Sequence, residues 1–200
     1  MKRAKQAQSP LESQTRAWLR EAATTLKLTE ARCSGAVAEA AEAIIHCLET
    51  GGTVYFCGNG GSAADSQHLA TEFAGRFQVD RAPLAAVALT TNSSALTAIG
   101  NDYGYDHVFA RLVEAHGVAG DVAIAISTSG NSRNVLDAVA VARQRGLATI
   151  GLCGRGGGKL AGCVDVPIVV PSDRTPRIQE AHIAIIHVLC ELVDEALFPE

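Results

Sequence analysis

The chain has 200 residues, a length that corresponds to one ordinary domain or at most to two very small ones. Hydrophobic residues make up 48% of the chain and charged residues 19%, a composition that supplies a core and excludes intrinsic disorder. The formal net charge is −4 and aromatic residues are only 4%, so we expect no nucleic-acid partner, because such partners are bound by basic surfaces and aromatic platforms. No segment approaches about 18 uninterrupted apolar residues, so we expect no membrane partner.

Cysteine usage predicts a cytoplasmic protein. None of the six cysteines forms a CxxC pair, and several lie within apolar runs, as Cys57 and Cys153 do. We interpret them as reduced, mostly buried thiols rather than as a disulfide or zinc framework. Residues 1–6 are basic but lead into polar residues, and the apolar run of a secretory signal is missing.

A pair of helices is predicted in residues 1–52, ahead of an α/β core. Ser9 and Pro10 start the first helix, because proline suits a first helical position, and the second helix follows Thr29 and stops at two glycines, residues 51–52. No strand precedes these helices, so we expect their apolar stripes to pack against another subunit. The stripes consist of Leu11, Thr15, Trp18, Ala22 and Leu26 in the first helix and of Val37, Ala41, Ile44, Ile45 and Leu48 in the second.

The rest of the chain, residues 53–200, predicts a three-layer α/β/α sandwich around a five-stranded parallel sheet, so that residues 1–200 form a single domain. The strands are apolar throughout and alternate with helices, a pattern typical of a parallel sheet covered on both faces. The predicted strands lie at residues 53–57, 84–89, 121–126, 148–153 and 164–170. The predicted helices lie at residues 63–77, 92–99, 107–115, 132–145 and 177–197, with a polar loop at 100–104. Ligands bind outside the carboxyl ends of such strands, so the loops there are the candidate sites.

The loop after the first strand, residues 57–62, is called the glycine loop here. Its three glycines let the backbone approach a ligand, and Ser62 with Asp65 has the form of a capping box. Loop amides next to a helix N-terminus favour an anion. The same residues also fit a tight turn from strand to helix, and the loop alone does not decide between the two.

The loop after the third strand, residues 127–132, is called the serine loop. Its four hydroxyls in six residues exceed what a turn requires, whereas a phosphate accepts hydrogen bonds from hydroxyls and from the amides beside Gly130. Neither loop has the sequence of a Walker A or GxGxxG motif, so a phosphomonoester is favoured over a nucleotide. A third glycine-rich segment, residues 154–159, also follows a strand and is interpreted as a flexible connection.

Titratable side chains lie near these loops. His68 and Glu72 are four residues apart on the helix after the glycine loop and share a face, as either a surface ion pair or a catalytic or metal-binding pair. Arg76, one turn later, is suited to a carboxylate or a phosphate. The C-terminal helix carries Gln179, Glu180, His182 and His187 within a largely apolar sequence. Buried polar groups require partners, so these four indicate either a shared site or a capped helix start with one core histidine.

Taken together, these motifs resemble the phosphoheptose isomerases, which are sugar isomerase (SIS) domain proteins acting on sedoheptulose 7-phosphate. The resemblance covers nearly the whole chain, and the serine loop alone is general to SIS domains. The motifs that carry it are residues 57–62, His68 with Glu72, residues 75–77, residues 100–102, residues 127–132, and residues 177–180 with His187. Thr175 and Pro176 differ from relatives that have Ala-Asp at this place, which affects one expected sugar contact.

The resemblance implies a homotetramer with active sites between subunits, in which Glu72 and His187 are the catalytic acid/base pair. It implies that the phosphate is held by Ser62, Ser127, Thr128, Ser129 and Ser132. It implies further substrate contacts from Asn59, Gly60, Gly61, Arg76, Asn101, Asp102 and Gln179. In some relatives zinc is bound by the equivalents of His68, Glu72, Gln179 and His187, so zinc is the expected cofactor.

The expected function is therefore an aldose–ketose isomerase that converts sedoheptulose 7-phosphate to D-glycero-D-manno-heptose 7-phosphate by proton transfer through an enediol. This reaction is the first step in the biosynthesis of nucleotide-activated heptose for lipopolysaccharide. The alternative is a non-enzymatic SIS protein that binds the replication initiator, because residues 197–199 look like the ending of such proteins. Those proteins lack the equivalents of Glu72 and His187. A sugar-phosphate-sensing regulator is a third alternative, although we expect no attached DNA-binding domain.

Overall fold

A five-stranded parallel sheet lies at the centre of the structure, a computed structural model that describes residues 9–199. The strands are β1 (Val54–Gly58), β2 (Ala86–Ala88), β3 (Val122–Ser127), β4 (Ala148–Cys153) and β5 (Val166–Val169). They are arranged in the order β2-β1-β3-β4-β5, and all neighbours are parallel. The chain leaves β1 towards one edge of the sheet and leaves β3 towards the other, so the carboxyl ends of these two strands flank the topological switch point.

Six helices among residues 9–199 cover the sheet. They are α1 (Pro10–Glu49), α2 (Gly61–Ala74), α3 (Ser93–Tyr103), α4 (Val108–His116), α5 (Arg133–Gln144) and α6 (Thr175–Leu197). Helices α1, α2 and α6 share one apolar core with one face of the sheet, and helices α3, α4 and α5 share a second core with the other face. The predicted three-layer sandwich with a five-stranded parallel sheet is therefore confirmed. Residues 1–8 and 200 of the predicted domain, including its basic N-terminus, lie outside the described residues.

The predicted pair of N-terminal helices is wrong, because residues 10–49 form one continuous helix of 40 residues. Ser9 caps its start, with its side chain accepting a hydrogen bond from the Glu12 amide, and Pro10 follows at the first helical position. Thr29, the expected start of a second helix, instead donates its hydroxyl to the carbonyl of Thr25 one turn earlier. No proline or glycine interrupts residues 11–34, so nothing in the sequence breaks the helix there.

The two halves of α1 differ in what they pack against. Val37 and Ile44 in the second half are buried in the core of their own chain, which contradicts the expectation that this stripe packs against another subunit. Residues 10–20 in the first half are all exposed. Leu11 is 81% exposed, Trp18 53% and Leu19 66%, so residues 9–199 leave these large apolar side chains uncovered.

Three other predicted boundaries differ in ways that affect the site. The helix after β1 starts at Gly61, with Gly60 as its N-cap, so Ser62 does not cap it and the predicted capping box is wrong. This helix ends at Ala74, so Arg76 and Phe77 lie on the following loop rather than on the helix. Helix α3 continues to Tyr103 through the segment predicted as a polar loop.

The cysteine prediction is confirmed in its main point. All six cysteines are free, and five of them are buried, with Cys163 the exposed exception. Within residues 9–199, no helix is both long and apolar enough to cross a membrane.

Candidate active site

The glycine loop and the serine loop meet at the switch point of the sheet through a pair of amides. The Asn59 side chain donates to Asn134 Oδ1 over 2.8 Å, and the Asn134 side chain donates back to Asn59 Oδ1 over 2.9 Å. The Tyr105 hydroxyl also donates to Asn59 Oδ1 over 3.1 Å. Asn134 is buried in the first turn of α5, directly after the serine loop, so it ties the two loops together. Sequence reasoning missed Asn134, whose only signal was an amide two residues after Ser132.

Close packing explains why the glycine loop contains glycines. A Cβ on Gly58 would lie 2.8 Å from the Cβ of Ser62, and Gly60 has a φ of +58° that favours glycine. The Ser62 amide donates to the Asn59 carbonyl, and the Ser62 side chain is buried at the start of α2. The loop is thus a tight turn from strand to helix, and an anion bound at the N-terminus of α2 stays a prediction.

In the serine loop, the hydroxyls are bonded mainly to one another. Ser127 Oγ lies 3.0 Å from Ser132 Oγ and 3.5 Å from Ser129 Oγ, and Ser129 Oγ accepts a hydrogen bond from the Asn131 amide. Gly130 turns the chain with a φ of +64°. Hydroxyl hydrogens rotate freely, so the same groups are able to donate to the oxygens of a bound phosphate. Thr128, half-buried between Ser127 and Ser129, belongs to the same cradle.

The glycine-rich segment 154–160 supports the serine loop from behind, and the interpretation of residues 154–159 as a flexible connection is wrong. The Leu160 amide donates to the Gly130 carbonyl over 2.9 Å, and the Lys159 amide donates to Asn131 Oδ1 over 3.2 Å. A Cβ on Gly130 would lie 2.0 Å from the carbonyl oxygen of Gly157. The glycines are needed because two backbones approach each other closely here, and we call residues 154–160 the buttress segment.

His68, Glu72 and His187 converge where α2 packs on α6. The Nε2 atoms of His68 and His187 are 3.0 Å apart, and His68 Nε2 is 3.6 Å from Glu72 Oε1. The two imidazole rings lie edge to face, with centroids 5.3 Å apart, and the ring of Phe77 stacks on His187 at 5.7 Å. The His68 side chain is 41% exposed and that of Glu72 20%, so the cluster is accessible from solvent.

The two imidazoles are in direct contact through their Nε2 atoms, and the tautomer of each ring sets which nitrogen donates and which accepts. The cluster therefore combines two imidazoles and a carboxylate. General acid–base catalysis uses groups of this kind.

The side chain of Gln179, the fourth expected metal ligand, reaches from the first turn of α6 to Gly61 at the start of α2. A Cβ on Gly61 would be 2.2 Å from the side-chain nitrogen of Gln179, so the two are in close contact. In the described part of the chain, Gln179 makes no hydrogen bond to His68 or His187. A search of residues 9–199 also finds no group of three or more His, Cys, Asp and Glu side chains already placed to hold a metal ion.

The remaining expected sugar contacts lie on α3 and on the loop after α2. Asn101 donates to the Asp102 carboxylate over 2.8 Å on the exposed last turn of α3. The hydrogen bond from Tyr105 to Asn59 places this end of α3 beside the glycine loop. Arg76 is exposed on the loop after α2, and no ion-pair partner for it occurs among residues 9–199.

The polar residues of α6 divide into different roles. His182, not His187, is the core histidine: it is fully buried, Cys153 O is 3.4 Å from its Nε2, and burial lowers its pKa to about 4. Arg177 donates to the main-chain carbonyl of Trp18 and pairs with Glu180, so these two residues fix the start of α6 to α1. Neither Arg177 nor Glu180 contributes to the cluster.

Sequence reasoning also misjudged Asp65. Instead of supporting a cap, Asp65 lies one turn before His68, and its Oδ2 is buried without a hydrogen-bond partner. Burial raises the pKa of this carboxyl to about 6, an effect that the nearby His68 partly opposes.

Comparison with known proteins agrees with this geometry. Residues 17–154 match the SIS domain family. The phosphoheptose isomerase of Rhodospirillum rubrum is 59% identical over 165 residues, which are 82% of this chain and 88% of that protein. The phosphoheptose isomerase of Geobacter sulfurreducens is 54% identical over 92% of this chain and 97% of that protein.

Solved structures show the same similarity. The phosphoheptose isomerase structure from Neisseria gonorrhoeae superposes with a TM-score of 0.88 at 48% identity, over 92% of this chain and 99% of that one. The sugar isomerase domain of an RpiR transcription factor from Sphaerobacter thermophilus has a TM-score of 0.65 at 21% identity over 89% of this chain and 88% of that one, which shows a shared fold alone.

Proposed function

The chain belongs to the SIS-domain family and, within it, to the phosphoheptose isomerases, and we propose that it converts sedoheptulose 7-phosphate to D-glycero-D-manno-heptose 7-phosphate, the first step towards nucleotide-activated heptose. The observation that carries the proposal is the cluster of His68, Glu72 and His187 on the helix that starts at the glycine loop and its neighbour α6. Relatives 52–59% identical are named as this isomerase, so binding to a replication initiator is not favoured.

Phosphate binding is the first part of the mechanism. The hydroxyls of Ser127, Thr128, Ser129 and Ser132, together with Ser62 at the N-terminus of α2, bind the 7-phosphate. The buttress segment holds the serine loop in place, and the Asn59–Asn134 amide pair fixes its distance from the glycine loop. Because the phosphate is remote from C1 and C2, its binding orients the reacting end of the sugar without taking part in the chemistry.

Proton transfer is the second part. A base removes a proton from C1 of the ketose while the C2 oxygen gains a proton, and the product is an enediol. A proton is then delivered to C2 and the hydroxyl proton on the C1 oxygen leaves, so that the carbonyl has moved to C1 with no net oxidation. We assign the two carbon-directed steps to Glu72 and His187, because carboxylates and imidazoles are the side chains that most often act as general acids and bases. His68 shares a proton with His187 and orients it.

Around this site the sugar is held by polar side chains at its rim. We assign sugar contacts to Asn59 on the glycine loop, to Asp102 on α3 and to Arg76 on the loop after α2. Asn101 orients Asp102 through their mutual hydrogen bond. Gln179, in contact with Gly61, adds an amide at the edge between the phosphate and the cluster.

The cluster also suits the zinc ion that some members of this family bind. Two imidazole nitrogens and a carboxylate oxygen are donors that zinc prefers, and His68 and His187 point their Nε2 atoms at the same place. His68, Glu72, Gln179 and His187 would hold the ion, which supplies polarisation of the sugar carbonyl when bound. Zinc content measured on purified protein tests this directly, because His68→Ala and Gln179→Ala should lose bound zinc.

We propose a homotetramer with sites shared between subunits. Its support is the exposed first half of α1, together with an apolar groove of about 380 Å³ between α1 and α6 that Leu26 and Val188 line. Leu26 is 40% exposed, so Leu26→Glu is tolerated in one chain but places a charge in the proposed interface. Sedimentation of the wild type should give a tetramer and that of Leu26→Glu a smaller species. An active wild-type monomer would contradict both the assembly and the shared sites.

A cytoplasmic location is proposed on the basis of the six free thiols, because such thiols persist in a reducing compartment. The function itself is tested by incubating purified protein with sedoheptulose 7-phosphate and following the sugar by NMR. The proposal expects an aldoheptose 7-phosphate. If no isomerisation occurs but the protein binds a replication initiator tightly, the initiator-binding alternative replaces it.

A further inference from the structure

Arg81 is the most deeply buried cation near the cluster, although it lies in the loop between α2 and β2. Its side chain is only 1% exposed. The guanidinium donates to Asp194 Oδ1 over 2.6 Å, to the main-chain carbonyl of Glu72 over 3.0 Å and to that of Phe73 over 3.0 Å. Arginine is rarely fully buried unless it is paired, so the partners of Arg81 indicate what keeps it in this position.

The groups that Arg81 contacts lie on α2 and α6, the two helices that carry the cluster. Glu72 and Phe73 lie in the last turn of α2, whose carbonyls carry the partial negative charge of the helix dipole and lack partners within the helix. Asp194 lies seven residues after His187, which places both on the same face of α6. The guanidinium therefore joins the peptide that carries Glu72 to the helix face that carries His187.

The surroundings make this connection rigid. The ring of Phe198 lies over the guanidinium, 5.4 Å from the ring centroid. Asp194 is buried, and among residues 9–199 its side chain has a hydrogen bond from Arg81 alone, because Oδ2 has no partner there. Cys190 lies in the same buried region. Burial raises the pKa of its thiol to about 12, and the negative charges of Glu72 and Asp194 add to that rise. Breaking a pair in such a place leaves a buried charge without a partner.

We propose that Arg81 and Asp194 are positioning residues of the isomerase, which set the separation of Glu72 from His187 by holding the end of α2 against α6. The inference rests on the proposed function, in which Glu72 and His187 exchange protons with the sugar. The arginine also fixes the loop that carries Arg76 and Phe77, and Phe77 stacks on His187. Four of the five proposed phosphate-binding residues lie in the serine loop, and Ser62 lies at the opposite end of α2 from Glu72, so the role concerns turnover and not phosphate affinity.

Arg81→Lys is the decisive variant. Lysine keeps the charge but is a point donor without the planar fork that reaches Asp194 and two carbonyls at once. We expect a folded protein whose kcat falls about 10- to 100-fold, since a displacement of about 1 Å is able to cost that much, while KM for the sugar phosphate stays near the wild-type value. Asp194→Asn removes the charge with almost no change of shape and should lower kcat in the same direction.

Arg145→Lys is the matched control. Arg145 also donates to a main-chain carbonyl at a helix end, that of Gly117, but it lies at the amino ends of β3 and β4, away from the site. This variant should keep the wild-type kcat. Thermal unfolding and circular dichroism on all variants separate loss of fold from loss of turnover, and if Arg81→Lys does not fold, Asp194→Asn is judged by the same criterion.

The outcomes distinguish the two proposals. An inactive wild type overturns the isomerase assignment itself. An active wild type with an unchanged kcat in the folded Arg81 or Asp194 variant overturns the positioning role alone. The positioning role is also overturned if Arg145→Lys lowers kcat equally, or if the Arg81 and Asp194 variants change KM alone. A selective fall of kcat in folded variants supports it.

Discussion

The serine loop and the His68–Glu72–His187 cluster, the two parts of the proposed site, are built in opposite ways. The serine loop is six consecutive residues, and its hydroxyls bond to one another. The cluster joins His68 and His187, which are 119 residues apart, and it exists only because α2 packs on α6. One short segment of sequence can thus encode a binding function, whereas the proton-exchanging pair Glu72 and His187 depends on the packing of two helices.

The first and largest predicted effect concerns the proton-exchanging groups of the cluster. Glu72→Gln keeps the shape of the side chain but removes the proton acceptor, and His187→Gln removes the imidazole. Because general acid–base catalysis contributes about 10²- to 10⁴-fold, each change should lower kcat by about that factor, with KM changing far less. Steady-state kinetics checks this, with the exposed Glu195→Gln on α6 as the control. If both variants turn over at near the wild-type rate, the assignment is wrong.

The second prediction separates the two histidines of α6. The pKa of buried His182 is about 4, below its ordinary value of 6.5, so the unfolded chain binds more protons between these values. The contribution of His182 to stability is therefore complete above pH 6.5 and is lost as the pH falls towards 4, by about 3 kcal/mol in total.

His182→Leu removes this titration. The free energy of unfolding of the wild type, taken relative to that of His182→Leu, should decrease as the pH falls from 6.5 towards 4. The kcat of His182→Leu at pH 7 should stay near the wild-type value. Chemical denaturation of both proteins at several pH values measures this difference. Asp65 contributes in the opposite direction, because its raised pKa favours the folded state at acid pH, but its contribution is the same in both proteins and cancels. A pH-independent difference would mean that His182 is not held neutral by burial.

The third prediction concerns the phosphate. Thr128→Val removes one hydroxyl from the serine loop without a change of shape, so substrate affinity should fall by about 1–3 kcal/mol, or roughly 5- to 150-fold, with kcat less affected. Thr97→Val on the exposed face of α3 is the matched control and should leave KM unchanged. If Thr128→Val and Ser127→Ala both keep the wild-type affinity, the serine loop does not bind the phosphate.

The fourth and smallest effect tests the buttress segment with two glycines. Gly156 and Gly158 both have positive φ, so alanine at either strains the backbone and should lower the melting temperature. The decrease should be larger for Gly158→Ala, because the ψ of −147° at Gly158 places it in a region that essentially only glycine adopts. Only at Gly158 does a Cβ collide with the serine loop, at 2.5 Å from the Ser129 carbonyl, whereas Gly156 has nothing within 4 Å. Gly158→Ala should therefore raise KM by about fivefold, the cost of one weakened hydrogen bond, while Gly156→Ala should not. Equal KM values for the two variants would show that the buttress does not shape the loop.

Much of the fold was predictable because it is encoded in short segments. Strand β4 was predicted to the residue at 148–153, since an apolar run after a helix has few alternatives. Helix α1 was misjudged because Thr29 is a good N-cap residue by itself, and only the uninterrupted chain around it keeps it inside one helix. The end of α2 was placed too late because Phe77 continues the apolar stripe, although it reaches His187 from a loop.

The site shows the same limit. The residues of the serine loop were identifiable because hydroxyls and glycine stand next to each other in the sequence. Asn134 and Arg81 gave no such signal, because each is a single polar residue whose partners lie far along the chain. The buttress segment was misread for the same reason: its glycines are required by the backbone of Gly130 and not by any neighbour in sequence.

The central claim is that the serine loop binds the substrate and the helix cluster converts it. Calorimetric binding of sedoheptulose 7-phosphate to Glu72→Gln tests it most directly, because this variant should bind the sugar without consuming it. The account predicts tight binding by Glu72→Gln and binding roughly 5- to 150-fold weaker when Thr128→Val is added to it. If Glu72→Gln alone abolishes binding, or if adding Thr128→Val changes nothing, the division of the site into a binding loop and a reacting cluster is contradicted.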